Sequence, residues 1–147
     1  MNILVFTKRV AATQEEELRI RDEGASVDLS KVPFKINDWD NYSIEEAVRI
    51  VEKTGGTVTA ISIGDAESDE VLRRAIAMGA KDGFLVNSES VFHDPGVRSR
   101  LIQNFIQKEN IPFDVIFTGV QSEDDQFGCV GGILGAVLGL PYSSMVI

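Results

Sequence analysis

Residues 114–141, "DVIFTGVQSEDDQFGCVGGILGAVLGLP", decide how the rest of the chain is read. The run "DVIFT" (114–118) is short, apolar and β-branched, as a strand buried on both faces should be. It stops at Gly119. Further on, Val130, Ile133, Leu134, Val137 and Leu138 recur at helical spacing, so an amphipathic helix is expected to start near Gly128. Between strand and helix lie Gln121, Ser122, Glu123, Asp124 and Asp125. A strand that runs through a loop into a helix is half of a βαβ unit.

The same order recurs upstream. "NILVF" (2–6), "TVTAISIG" (57–64) and "GFLV" (83–86) read as buried strands. The helices after them are marked by local chemistry. In residues 43–53, Ile44, Ala47, Val48 and Val51 share one face, and Ser43 with Glu46 fits a capping box. Residues 69–80 put Leu72, Ala75 and Ile76 inward and stop at Gly79. Asp94 and Pro95 fit the cap and first position of a helix whose stripe is Val97, Leu101, Phe105 and Ile106. "SSMVI" (143–147) reads as the start of a fifth strand. Alternation of this kind implies an α/β domain spanning 1–147, a doubly wound, mostly parallel, Rossmann-like sheet with helices on both faces. The exception is residues 11–42, too long for a plain connection. There "LRIR" (18–21), "DEGA" and "SVDLS" (26–30) read as a small polar hairpin inserted after the first strand.

With 147 residues, 44% hydrophobic and 25% charged, the chain has the composition of a single globular domain. Its net charge of −9 argues against nucleic acid and against anionic membrane surfaces as partners. A lone cysteine, Cys129, allows no internal disulfide. The first ten residues carry no signal-peptide pattern and no run reaches membrane-spanning length, so a cytoplasmic protein of bacterial or archaeal type is expected, with no direct membrane insertion.

In an open doubly wound sheet, ligands bind beyond the carboxyl ends of the strands where the strand order reverses. With the order 3-2-1-4-5, the crevice opens between the first and fourth strands. The loops after "LVFTK" (4–8) and after "DVIFT" would face each other, "INDWD" (36–40) could fold over the gap, and "IGDAE" (63–67) lies next door. Gly128, Cys129 and Val130 would offer free N–H groups and the helix dipole to an anion. The acids just upstream would repel a phosphate and suit ribose hydroxyls better.

The plainer readings carry weight. Acids 123–125 taken alone are a solvated run favouring the helix dipole, and the pair Lys8 and Arg9 need be no more than solvated charge. Cys129 is a small helix residue, and a thiol nucleophile would need a base that His93, in a surface loop, does not visibly supply. One His and one Cys make no metal cluster. Trp39 is a packing residue unless it forms a lid. No G-x-G-x-x-G or Walker A pattern is present, so any phosphate duty falls to the loop after the fourth strand.

Four blocks, "ILVFTKRV" (3–10), "INDWDNYSIEEAVRI" (36–50), "VLRRAIAMGAKDG" (71–83) and "FTGVQSEDDQFGCVGGILGAVLGLP" (117–141), together resemble the β subunit of electron transfer flavoprotein. The Asn-Asp-Trp-Asp block and "GVQSEDD" are more similar to flavoproteins serving trimethylamine dehydrogenase-like enzymes than to those serving acyl-CoA dehydrogenases. The resemblance implies an adenine nucleotide α-hydrolase-like fold and a heterodimer with an α subunit that holds most of a redox-active FAD. It also implies a structural AMP in the β chain. Carried over by position, backbone near Phe6 meets adenine, and Asn37, Asp38, Trp39, Asp40 and the loop at Ile63 flank adenine and ribose. The chain from Gly119 through Val130, with Val120, Gln121 and Ser122, wraps ribose and phosphate, Asp125 matches a family acid, and Gly128, Cys129 and Val130 match the positions near the phosphate. Common members have Asn, Gln and Thr at those last three positions, so here backbone groups or other residues must do that holding.

The implied function is electron carriage without catalytic side chains, from flavin-dependent dehydrogenases to a quinone oxidoreductase. Family β subunits run well past this length, with a C-terminal part that wraps α, so a truncated member is expected. Two alternatives stand beside this one. An ATP-binding stress-protein-like domain shares the architecture but should carry a Gly-rich phosphate loop ending in Gly-Ser or Gly-Thr, where this chain has "GCVGG". A hydrolase using Asp124 and Asp125 would lose activity on Asp125→Asn with its nucleotide content unchanged.

Overall fold

The computed structural model describes residues 1–14, 16–21, 24, 26–88 and 94–146. Four parallel strands form the central sheet in the order β7-β6-β1-β8. They are β1 (Asn2–Thr7), β6 (Thr57–Gly64), β7 (Asp82–Asn87) and β8 (Val115–Phe117). The pairing is in register, Phe6 opposite Ile61 and Val5 opposite both Ala60 and Phe117. Strand order reverses at β1, as the sequence implied.

Side-chain alternation along β1 decides what packs where. Ile3 and Val5 point to one face, where they meet Ala60, Ile44, Ala47, Val71, Leu72 and Ala75. Those partners come from β6 and from α1 (Asp38–Thr54) and α2 (Asp69–Met78). Leu4 and Phe6 point to the other face, with Ile61, Ile102, Ile106 and Leu134, against α3 (Pro95–Glu109) and α4 (Val130–Leu138). Burying each large aliphatic side chain contributes about 1.5–3 kcal/mol, so both helical layers are held by the β1 and β6 runs between them. Among the described residues no helix is long and apolar enough to cross a membrane.

Several element ends follow the expected chemistry. Asp94 accepts the N–H groups of Gly96 and Val97 at 2.8 and 3.2 Å, capping α3 with Pro95 in its first turn. Gly79 ends α2 at φ 121°, a conformation closed to side chains.

Other expectations are corrected. Helix α1 begins at Asp38, not Ser43, so Ser43 lies inside it and its hydroxyl donates to the Trp39 carbonyl. Ile76 and Val97 are 48% and 43% exposed, while Val71 and Ile102 take the inward positions. Residues 141–146 form no strand. Met145 sits at φ 52°, outside strand geometry, and Tyr142 lies against the glycine face of α4, where a Cβ on Gly131 or Gly135 would come within 3.3 Å of its side chain.

Within residues 11–42, β2 (Arg9–Ala11) pairs antiparallel with β5 (Phe34–Ile36). β3 (Arg19–Ile20) pairs with β4 (Val27–Asp28), Arg19 opposite Asp28. The β2–β5 pair returns the chain to the carboxyl edge of β1, where Asn37 N–H donates to the Lys8 carbonyl at 2.9 Å. This is how a 30-residue-scale excursion ends with the start of α1 beside the sheet reversal. Residues 22, 23 and 25 of the expected "DEGA" turn, Glu15, His93 and Ile147 lie outside the described residues.

Candidate functional site

A half-open cavity sits at the carboxyl edge of the sheet between β1 and β8. Phe6, Ile61, Ile63 and Ile102 give it an apolar floor. Its rim is Thr7, Lys8, Asn37, Asp40, Arg98 and the chain from Thr118 to Ser122, with Asp125, Gly128, Cys129 and Val130 at the far end. Of the positions singled out from sequence, Phe6, Asn37, Asp40 and Ile63 line it, as do Gly119, Val120, Gln121, Ser122, Asp125, Gly128, Cys129 and Val130. Asp38 and Trp39 do not. Asp38 turns outward to Lys35 at 2.9 Å, and Trp39 is 42% exposed with its ring 6.2 Å from that of Tyr42.

The loop after β8 is tied down by side chains from distant elements. The Asn37 amide donates to the Gln121 carbonyl at 2.9 Å and accepts the Glu123 N–H at 3.1 Å. Asn37 therefore leaves its own helix without a side-chain cap. Glu123 supplies one instead, accepting the Asp38 N–H at 3.1 Å while Lys35 holds its other oxygen at 3.0 Å. A carboxylate at a helix N-terminus is favourable for its charge as well as for the bond.

The acids are not a solvated run. Lys8 Nζ lies 2.5 Å from Asp124, 2.8 Å from Asp125 and 3.1 Å from the Ser122 hydroxyl. Arg98 reaches the same Asp125 oxygen at 3.3 Å. Burial pushes Asp125 up, but bonds from the Lys8 ammonium, the Ser122 hydroxyl and the Phe127 N–H outweigh it and bring its carboxyl down to about 2. Helix α4 begins at Val130 with no acid in its first turn, so these carboxylates serve the loop rather than the dipole. Nor does Arg9 stand as solvated charge: it pairs with Glu67 at 3.0 Å and Glu70 at 2.8 Å, its guanidinium 3.7 Å from the centre of the Phe34 ring.

Asp40 is the buried carboxyl of the site, 5% exposed. Burial raises it to about 7, against the pull of the Asn37 side chain and of the Lys8 and Gly119 N–H groups. The Lys8 N–H reaches Asp40 Oδ2 at 2.8 Å. The Thr7 hydroxyl, also at the rim, is buried with no hydrogen-bond partner among the described residues.

Sequence reasoning passed over Arg98, Ile61, Ile102, Thr7 and Thr118, and set Lys8 aside. Lys8 was findable: a lone ammonium ending the first strand faces an acid cluster ending the fourth once the strands are neighbours. Arg98 had no such signal, because its approach depends on how α3 packs beside α4. Among the described residues no group of His, Cys, Asp and Glu could hold a metal ion. Cys129 is a free, partly exposed thiol at the cap of α4.

The donor set fits a neutral-to-acidic nucleotide. An apolar floor suits a purine, Ser122 and Asp125 suit hydroxyls, and Arg98 with the N-terminus of α4 suits an anion. Comparison with known proteins identifies the family. Residues 25–147 match the electron transfer flavoprotein domain. The chain is 36% identical to the electron transfer flavoprotein subunit beta of Methylophilus methylotrophus, over 99% of this chain and 55% of that protein. It is 34% identical to the subunit beta of Bacillus subtilis (strain 168), over 96% and 54%. Protein FixA of Azotobacter vinelandii is 33% identical over 78% and 42%. The chain spans about half the length of the curated relatives it matches. The domain match and the relatives make this chain a member of the electron transfer flavoprotein family, similar to its β subunits.

Proposed function

We propose that the chain is the nucleotide-holding part of a β subunit that binds AMP in the β1–β8 crevice and joins an α subunit carrying FAD. The observation that carries this reading is the convergence of four segments, the ends of β1 and β8 and the starts of α1 and α4, on one cavity with an apolar floor and a polar rim. In that arrangement Phe6 and Ile63 flank the adenine, and Asn37 and Asp40 brace the wall beside it. Ser122, Asp125 and the backbone from Gly119 to Gln121 meet the ribose, and Gly128, Cys129 and Val130 present N–H groups to the phosphate. The nucleotide is structural: it fills the crevice and stiffens the loops around it, and no side chain here needs to give or take a proton. FAD, when bound in the heterodimer, supplies the redox chemistry. On this reading the partners of the heterodimer would be a flavin-dependent dehydrogenase as electron donor and a quinone oxidoreductase as acceptor.

The test is to denature the full-length protein, purified with any tightly associated subunit, and to identify the released small molecules by mass spectrometry. AMP at close to one equivalent per β chain supports the reading, and its absence from a fully folded complex refutes it. Asp125→Asn should lower the AMP content without any change in nucleotide hydrolysis, which separates a structural site from a hydrolytic one.

A further inference from the structure

Asp40 is a buried titratable group that the proposed function leaves unused. Its carboxyl stands where three walls of the crevice meet. Oδ2 accepts the Lys8 N–H from beyond the end of β1 at 2.8 Å. Oδ1 lies so close to Gly119, just past β8, that a Cβ there would overlap it. Asp40 itself belongs to the first turn of α1 and lines the cavity. The other charged residues that line the cavity, among those described, are Lys8, Arg98 and Asp125. Both cations are engaged with Asp125, and Lys8 with Asp124 as well. On its own helix, Asp38 turns to Lys35, which also holds Glu123. Next to Lys8, Arg9 is paired with Glu67 and Glu70. Burial outweighs the Asn37 side chain, the Lys8 charge and the N–H groups of Lys8 and Gly119, and holds the Asp40 carboxyl at about 7. Both of its protonation states are therefore within reach near neutrality.

We propose that Asp40 makes nucleotide binding proton-linked: the crevice takes up a proton at this carboxyl as the adenylate enters, and its hold loosens as pH rises above neutrality. The inference rests on the adenylate reading above and adds a regulator to the same site; electron carriage itself uses no proton here. Two effects of an occupant act with one sign. A base and ribose in the half-open cavity exclude water from the side of the carboxyl that the cavity serves. A phosphate adds negative charge to a space that already holds Asp125. Each disfavours the carboxylate. The proton comes from solvent and bonds to a carboxyl oxygen, and no other bond changes. By linkage, proton and nucleotide strengthen each other by the same factor.

The experiment measures AMP and adenosine binding to the nucleotide-stripped full-length protein by calorimetry at pH 6, 7 and 8, for wild type and Asp40→Asn. Buffers of different ionisation enthalpy count the protons taken up. If an occupant raises the carboxyl by about one pKa unit, a tenfold change in proton affinity, wild type should bind adenosine about 5-fold more weakly at pH 8 than at pH 6. About half a proton should be taken up at pH 7.5. The phosphate of AMP itself ionises at about pH 6, so adenosine isolates the carboxyl. Asp40→Asn should flatten the adenosine profile and leave in the AMP profile only the part that belongs to the phosphate. Should that variant fold poorly, infrared difference spectra of wild type at pH 7.5 serve instead, with a protonated-carboxyl band gained on adding AMP. Binding without proton uptake, the same profile in both proteins, or no such band overturns the proposal and leaves the adenylate reading standing. If wild type binds neither compound at any pH, the adenylate reading itself falls, and this inference with it.

Discussion

Gly119 and Asp40 touch so closely that any side chain at 119 would overlap the carboxylate: a Cβ built there collides with Asp40 Oδ1 and lies 3.1 Å from Trp39 Cβ. The end of β8 thus passes over the first turn of α1 with only hydrogen to spare. Gly119→Ala should destabilise the protein by about 1–3 kcal/mol, as overpacking does, and should reduce the AMP content, because either the strand end or α1 must retreat from the crevice. Urea denaturation gives the first number and released nucleotide the second. A variant within about 0.5 kcal/mol of wild type would mean the contact is soft.

Asp40 and Asp125 give opposite pH slopes. Between pH 3.8 and about 7 folded Asp40 keeps a proton that the unfolded chain has lost. The native state then binds more protons, so stability falls as pH rises, by up to about 4 kcal/mol at roughly 1.4 kcal/mol per pKa unit. Between about 2 and 3.8 Asp125 is ionised when folded and protonated when unfolded. Stability there rises with pH, by about 2 kcal/mol. From these two groups the optimum lies near pH 4. Asp40→Asn should remove the decline from pH 4 to 7, and Asp125→Asn the rise from 2 to 4. Thermal melts across pH 2–8 resolve both, and an unaltered slope in the Asp40 variant would show that its carboxyl titrates normally.

The sheet order and the crevice were legible because both follow from a short pattern: apolar runs alternating with amphipathic helices, and the rule that ligands gather where the order reverses. The Asp94–Pro95 start of α3 was legible for the same local reason. What escaped were features set by tertiary contact. Helix α1 starts at Asp38 because Glu123, 85 residues away, caps its N–H, and no window around Ser43 contains that information. The acids 123–125 looked solvated because Lys35, Lys8 and Arg98 are far off in the chain. "SSMVI" has strand propensity, yet residues 143–146 form no strand, with Met145 at φ 52°.

Asp94→Ala removes the cap of α3, one carboxylate oxygen that accepts two N–H groups, and should cost about 0.5–2 kcal/mol. Urea denaturation checks it, and a loss below about 0.3 kcal/mol would mean that Pro95 alone sets the start of α3.

Lys8 meets both Asp124 and Asp125, with its side chain 21% exposed. Lys8→Met keeps the length of the side chain and removes the charge. Asp125 would then keep Arg98 at 3.3 Å and Ser122 at 2.6 Å but lose its shortest cationic partner. Stranding a partly buried carboxylate costs about 1–3 kcal/mol, so the melting temperature should fall and the Asp125 carboxyl should titrate above 2. The loop should loosen too, because Ser122 and Asp124 lose the same anchor. Phe127, 49% exposed, lies within that loop, so chymotryptic cleavage after it should quicken severalfold. A cycle with Asp125→Asn separates the pair from the rest. If Lys8 acts through Asp125, the double variant should be about 1 kcal/mol or more better than the sum of the singles. Additive losses would mean that Asp124 and Ser122, not Asp125, are what Lys8 holds.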